Sequence, residues 1–323
     1  MLCIMRKPLL TIMALLATVG SAWAVDDNTV EIVYSDGQAV VTPAANIASY
    51  VTSTVDKAHV SIKQAETAGA GTSGEILYIL SGSASDGSFY LEGSYKATIT
   101  LAELTLTNPN GAAINIQNGK RINVSVKNGT TNTLTDGAGG EWKGCFMCKG
   151  HTEFKGKGTL TINSKSGHGI WSNEYVEIKN CTINIPSPAK DGINSNQYFL
   201  MESGSLTITS PGDDGIQVSY KDNPPTDTED TGCFTQQDGT ISISSPTGFC
   251  IKTDATITYN GGTQDFDKSN TKENAATGIS SAIVEDNDTE AVYDLSGRKV
   301  PEGSVKKGIY IIKGRNATKK VLR

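Results

Sequence analysis

A nine-residue pattern recurs through the middle of the chain. It reads INSKSGHGI at 162–170, IPSPAKDGI at 185–193, ITSPGDDGI at 208–216 and ISSPTGFCI at 243–251, with LTNPNGAAI at 106–114 in the same frame. The closing Ile170, Ile193 and Ile216 stand 23 residues apart; the step to Ile251 is 35, so 12 residues are inserted at 220–231. Phe146, 24 residues before Ile170, fills the same slot. Each unit holds a strand-like alternation such as Leu160-Thr161-Ile162 or Leu206-Thr207-Ile208, a Ser/Pro/Gly/Asp turn, and a second short alternation from the isoleucine. A third follows at 176–178 and 199–201. Three short strands and three turns in about 23 residues make one coil of a parallel β-helix, whose rungs stack about 4.8 Å apart. An antiparallel sandwich also shows frequent turns, but gives no reason for identical residues at a fixed 23-residue period. The expected fold is therefore all-β: a right-handed parallel β-helix, the hand following from strand-crossover-strand connections.

Stacking turns sequence columns into ladders. Ile114, Phe146, Ile170, Ile193, Ile216 and Ile251 should point inward, as should Ile116, Cys148, Ser172, Ser195, Val218 and Thr253 two places on. Between them, Asn115, Met147, Trp171, Asn194, Gln217 and Lys252 should face out. The turn column Ala112, Gly144, His168, Asp191, Asp214 and Phe249, and the one before it, with Lys190 and Asp213, are expected at the solvent-exposed turn.

Ser, Thr, Asn and Gly supply 120 of the 323 residues, which suits turns and strands over helix interiors. Arg6 and Lys7, an apolar run at 8–19 and Ala22-Trp23-Ala24 have the order of a secretory signal peptide cleaved after Ala24. The apolar run is shorter than a membrane span, and no other stretch approaches that length. The expected location is extracellular, at the cell surface or in the periplasm. Residues 25–278 form the solenoid, with 25–75 as N-terminal cap or early rungs; 279–323 change composition and read as a small antiparallel β unit. Residues 25–278 carry 17 Lys and Arg against 28 Asp and Glu, net −11, while 279–323 carry 9 against 6. Nucleic acid, which demands a basic footprint, is excluded as a partner. The mature chain keeps five cysteines, Cys145, Cys148, Cys181, Cys233 and Cys250, so at least one is free or pairs with another chain. Cys145 and Cys148 lack two further zinc ligands at matching spacing and read as core.

Asp191 and Asp214 on adjacent rungs, with Asp213 beside them, bring carboxylates to about 5 Å, a rung spacing. Oxygen-rich geometry of that kind suits calcium. Asp222, Asp227, Glu229 and Asp230 of the insertion belong to the same acidic cluster. Two plainer readings stand beside the metal: a surface ion pair between Lys190 and Asp213, and Asp-Gly turn chemistry. Trp171 on the outward face, with Asn194 on the next rung and Asn173 and Asn196 alongside, could stack on and orient a sugar; equally, Trp171 could pack against a neighbouring loop. A lyase acting beside a uronate carboxylate needs a poised base; Arg121 is the only arginine in 25–278, and Lys190, Lys221 and Lys252 lie near the acidic ladder. A hydrolase would need paired carboxylates, which Asp191 with Asp213 or Asp214 could supply. His151 and His168 have no nucleophile motif near them.

LSGSASDGSF at 80–89, NGAAINIQNGKRINV at 110–124, NTLTDGA at 132–138, KGKGTLTI at 155–162 and the DGI units together resemble secreted carbohydrate-binding β-helix proteins, described as binding cellulose-like and acidic sugars, polygalacturonate above all. The resemblance spans residues 25–263. It implies an architecture related to pectate lyases, bound calcium and no established lyase activity. Calcium would also bridge a domain of net −11 to a polyuronate. Where that family keeps DGI, this chain has Gly248-Phe249-Cys250 and Gly144-Cys145, which confines a calcium ladder to the middle rungs. VYDLSGRKV, KGIYIIKG and the basic end resemble, in shortened form, the C-terminal sorting domain of Bacteroidetes-type exported proteins.

The sequence thus reads as an exported, non-catalytic protein holding an acidic or cellulose-like plant polysaccharide. Calcium would sit at Asp191, Asp213 and Asp214, and sugar contacts would come from Trp171, Asn194, Asn196 and Lys190. A calcium-dependent polyuronate lyase and a structural or adhesive solenoid are the rivals.

Overall fold

The computed structural model describes residues 25–35, 37–68, 74–222, 225–274, 289–294, 298–300, 309–314 and 318–322; the signal-peptide segment lies outside them. One coil shows the plan. Thr152–Gly156, Thr159–Asn163 and His168–Ser172 lie on three successive faces, and Val176–Lys179 then returns to pair in parallel with Thr152–Gly156. Repeated along the chain, this makes a parallel β-helix, as the 23-residue period requires. We call the sheets one, two and three in that order.

Sheets one and two are continuous at a corner. The 12-residue strand Ala97–Asn108 pairs through its first half with Ile122–Val126 and through its second with Thr131–Asp136. Glu103, at φ 62°, makes the bend. One coil earlier, Ile76–Ala84 turns the same corner at Gly82, where a Cβ would stand 2.1 Å from the Tyr34 carbonyl oxygen, so only glycine fits.

The predicted ladders form. Ile114, Phe146, Ile170, Ile193, Ile216 and Ile251 are in register along sheet three and fully buried, and Phe89 and Val60 extend the column. Each such side chain contributes about 1.5–3 kcal/mol of burial. The second inward column is likewise buried. Ser172 and Ser195 hydroxyls there donate to the carbonyls of Tyr175 and Tyr198, so the narrow interior tolerates hydroxyls because each is bonded. All five mature cysteines are free; four are buried and Cys233 is half-buried.

Sheet three has ten strands, ending in an antiparallel hairpin of Val51–Asp56 and Ala58–Gln64. A second hairpin, Thr29–Ser35 with Gln38–Pro43, closes sheet one at the same end. The C-terminal strands Thr289–Tyr293, Ile309–Gly314 and Thr318–Leu322 form an antiparallel sheet of their own. No helix among the described residues is long and apolar enough to cross a membrane.

One expectation fails. The turn column was read as solvent-facing, yet Asp191 and Asp214 are each 1% exposed. The turn folds so that their carboxylates lie along the rung direction, where backbone amides of the following rung need acceptors.

Candidate functional site

The turn between sheets two and three begins with a serine before proline. Ser187, Ser210 and Ser245 all take left-handed φ values, 48°, 46° and 51°, turning the chain ahead of Asp191-Gly192, Asp214-Gly215 and Phe249-Cys250. Glycine follows the aspartate because the next rung leaves no room for a side chain: a Cβ on Gly192 would meet the Gly215 oxygen and the Ile208 methyls at 2.7 Å.

The aspartates then join successive rungs. The Asp191 amide donates to His168 Nδ1 (3.2 Å), the Asp214 amide to Asp191 Oδ1 (3.0 Å) and the Phe249 amide to Asp214 Oδ1 (2.7 Å). On its outer oxygen Asp191 accepts from Asn194 Nδ2 at 3.0 Å, and Asp214 pairs with Lys252 at 3.1 Å. His168 Nδ1 also lies 3.1 Å from Asp191 Oδ2. An unprotonated Nδ1 accepts from the amide; a protonated one donates to the carboxylate.

Burial pushes the Asp191 carboxyl up, but hydrogen bonds and charge from His168, with Asn194 and the Asp214 amide, outweigh it and hold it below its ordinary value. Asp213 goes the other way: partial burial, then the charges of Asp214 and Asp191, push it up. Asp191, Asp213 and Asp214 each offer an oxygen within 4.8 Å of the others, two from buried residues and one from an exposed one. Glycine at 248 lets the two carboxylates lie against the backbone of the next rung, since a Cβ there would clash with Asp214 Oδ1 at 2.4 Å and Asp213 Oδ1 at 2.7 Å. An all-oxygen donor set of this kind suits a hard cation such as calcium, with Lys252 as the competing resident charge.

The remaining predicted residues divide. Asn194 and Asn196 lie on the outer face of sheet three, half-buried, with Asn115, Asn173 and Gln217 on the same face. Trp171 faces outward but is only 8% exposed, because Lys143 Nζ lies 4.0 Å above its ring. It is packed, not an open stacking platform. Lys190 is exposed, and the ion pair on the ladder is made by Lys252 instead.

The acids of the insertion do not join the trio. Asp230 accepts the amides of Lys221 and Asp222, Asp227 accepts those of Glu229 and Asp230, and Glu229 lies 3.1 Å from His151. His151 also meets Glu174 at 2.9 Å, and Lys221 reaches Glu174 at 2.7 Å. These contacts pin the insertion to the corner where sheet three passes into sheet one. There His151, Tyr175 and Tyr198 stack with centroids 4.2 and 4.4 Å apart, and Arg121, Tyr175 and Glu153 close a hydrogen-bonded triangle. The stack has no motif to announce it, but His151, Tyr175 and Tyr198 are 24 and 23 residues apart, the period of the rungs.

The molecule is thus a parallel β-helix with a polar outer face on sheet three and a carboxylate trio at the edge of that face. The chain belongs to the family of carbohydrate-binding domain-containing proteins, whose model matches residues 56–309. A carbohydrate-binding domain-containing protein of Acetivibrio thermocellus is 24% identical over 119 residues, which cover 34% of this chain and 42% of that relative. The chain thus spans less than half the length of that curated relative. The fold is shared with a solved structure, the polysaccharide lyase-like protein from C. thermocellum in its gadolinium derivative. The TM-score is 0.58 at 20% identity, covering 76% of this chain and 99% of that one.

Proposed function

We propose that this protein is an exported, non-catalytic binder of an acidic or cellulose-like plant polysaccharide, held along the outer face of sheet three with calcium at Asp191, Asp213 and Asp214. The observation that carries this reading is the convergence of those three carboxylates at the edge of a face lined by half-buried amides. Asparagine and glutamine side chains offer both donors and acceptors to sugar hydroxyls. Bound calcium would supply the positive charge a domain of net −11 lacks toward a uronate. Lys190, exposed one rung before Asp213 in the same turn column, adds a cation on this side of the solenoid, and Trp171 becomes a sugar platform only when Lys143 moves aside. The signal-like N-terminus supports export, and the C-terminal β unit is read as a shortened sorting-type tail.

The lyase reading has one observation in its favour, the polysaccharide lyase-like neighbour, and one against. A base must release its proton near the working pH. Glu174 bonds to Lys221 and holds it above its usual range; at Lys252 burial works downward but Asp214 outweighs it, again upward. Calorimetric titration of calcium into the mature chain tests the metal assignment. Asp213→Ala, which removes the exposed donor, is expected to weaken calcium binding at least tenfold; unchanged affinity rejects the site. Release of unsaturated product from polygalacturonate, followed by absorbance, would reject the non-catalytic reading.

A further inference from the structure

Sheet three ends in an edge that invites a partner. Val51–Asp56 is its last strand, bonded on one side to Ala58–Gln64 and on the other to no described strand. The Ala65 amide donates to the Tyr50 carbonyl at 2.8 Å, so Tyr50 and every second residue after it turn their peptide groups toward Ala58–Gln64. Val51, Ser53 and Val55 therefore direct their N–H and C=O groups to the open side. Residues 52–56 are all exposed. Two of the four exposed large hydrophobics among the described residues, Val40 and Val55, lie on the terminal strands of this end, and Val33 and Leu77 lie nearby.

The edge carries little of the usual protection: its one charged residue is Asp56, at its end, and the Ala39 amide of the neighbouring hairpin reaches only the Lys57 carbonyl just beyond it. No residue from Gln38 to Val55 is charged, although charged residues and prolines are the common means of blunting an edge strand. At the opposite end the last strand of sheet three, Thr271–Glu273, carries Lys272 and Glu273.

The strand is also self-complementary. Residues 51–55 read Val-Thr-Ser-Thr-Val, the same in both directions. We propose that two copies of this chain join end to end through this strand, paired antiparallel about a two-fold axis at Ser53. Val51 of one copy then lies opposite Val55 of the other, Thr52 opposite Thr54, and Ser53 opposite Ser53. The three outward-directed residues are the ones that become hydrogen-bonded pairs in this register, so the backbone pattern and the sequence palindrome agree. Asp56 meets Tyr50 and not another Asp56, so two acidic molecules meet here without like charges opposed.

Packing supports the same register. Val55 is in register with Val60, Val60 with Phe89, and Phe89 with Ile114. The apolar ladder of sheet three thus ends at Val55, 40% exposed, and Val51 of a second copy would be its next member. Pairing would make one continuous sheet from the two copies' third faces. If that face holds glycan, the dimer offers a doubled surface to one polymer, but the pairing itself does not depend on glycan binding.

Sedimentation equilibrium of the mature chain tests this. The expected result is a concentration-dependent dimer that is lost in Ser53→Lys and in Ser53→Glu, where like charges face each other across the axis, and regained when the two variants are mixed. Both should keep the wild-type far-ultraviolet spectrum, since the Ser53 amide takes no part in its own sheet. A wild-type chain that stays monomeric, a dimer that survives in either variant, or variants that do not associate on mixing would each overturn the proposal.

Discussion

Asp191 brackets two rungs and stands in the carboxylate trio, and its titration separates the two roles. Its folded carboxyl is held below the ordinary value, so it contributes stability that is complete above about pH 4, the range of a free carboxylate, and is lost as pH falls through the lowered folded value. Asp191→Asn should therefore flatten the acid limb of the stability–pH profile, measured by urea unfolding. Asp191→Ala leaves the buried Asp214 amide without its acceptor and should cost about 1–3 kcal/mol at neutral pH. Asp213→Ala, at an exposed position, should stay within about 0.5 kcal/mol of wild type. Sequence columns brought these three aspartates together correctly but put Asp191 and Asp214 in water, because a column says which residues stack and not which way a turn folds its side chains. Trp171 shows the same limit. Its alternation places it outward, but the lysine that covers it comes from the preceding rung's turn, at 143, a position the strand pattern does not constrain.

At the scale of the rung, the Asp-Gly-Ile unit joins a bracket, a close approach and a core anchor in three consecutive residues. The glycine is the least replaceable for stability. Gly192→Ala would force a methyl to 2.7 Å from a carbonyl oxygen and two isoleucine methyls and should cost about 1–3 kcal/mol. Gly119→Ala, at a position with nothing within 4 Å, should be near neutral, and paired chemical denaturation curves compare them. The rungs were legible because each repeats the same physical demands at a fixed interval. The insertion was not, because its contacts are each made once: His151 to Glu229 and Gln197 to Asp227 join residues whose separations follow no period. The cap hairpins escaped for a related reason, since they abandon the repeat where the solenoid closes.

For the whole molecule, net charge and fold point in different directions. A solenoid of net −11 with an amide-lined face suits sugar hydroxyls, but an acidic polymer would be repelled unless a cation intervened. Family membership supports carbohydrate binding; calcium is the element of the account on which an acidic ligand depends. Retention of the mature chain on immobilised polygalacturonate, with calcium and then with excess chelator, measures that dependence directly. The account predicts retention that chelator abolishes and that Asp213→Ala lacks even with calcium present. Retention that is indifferent to both chelator and substitution would contradict it.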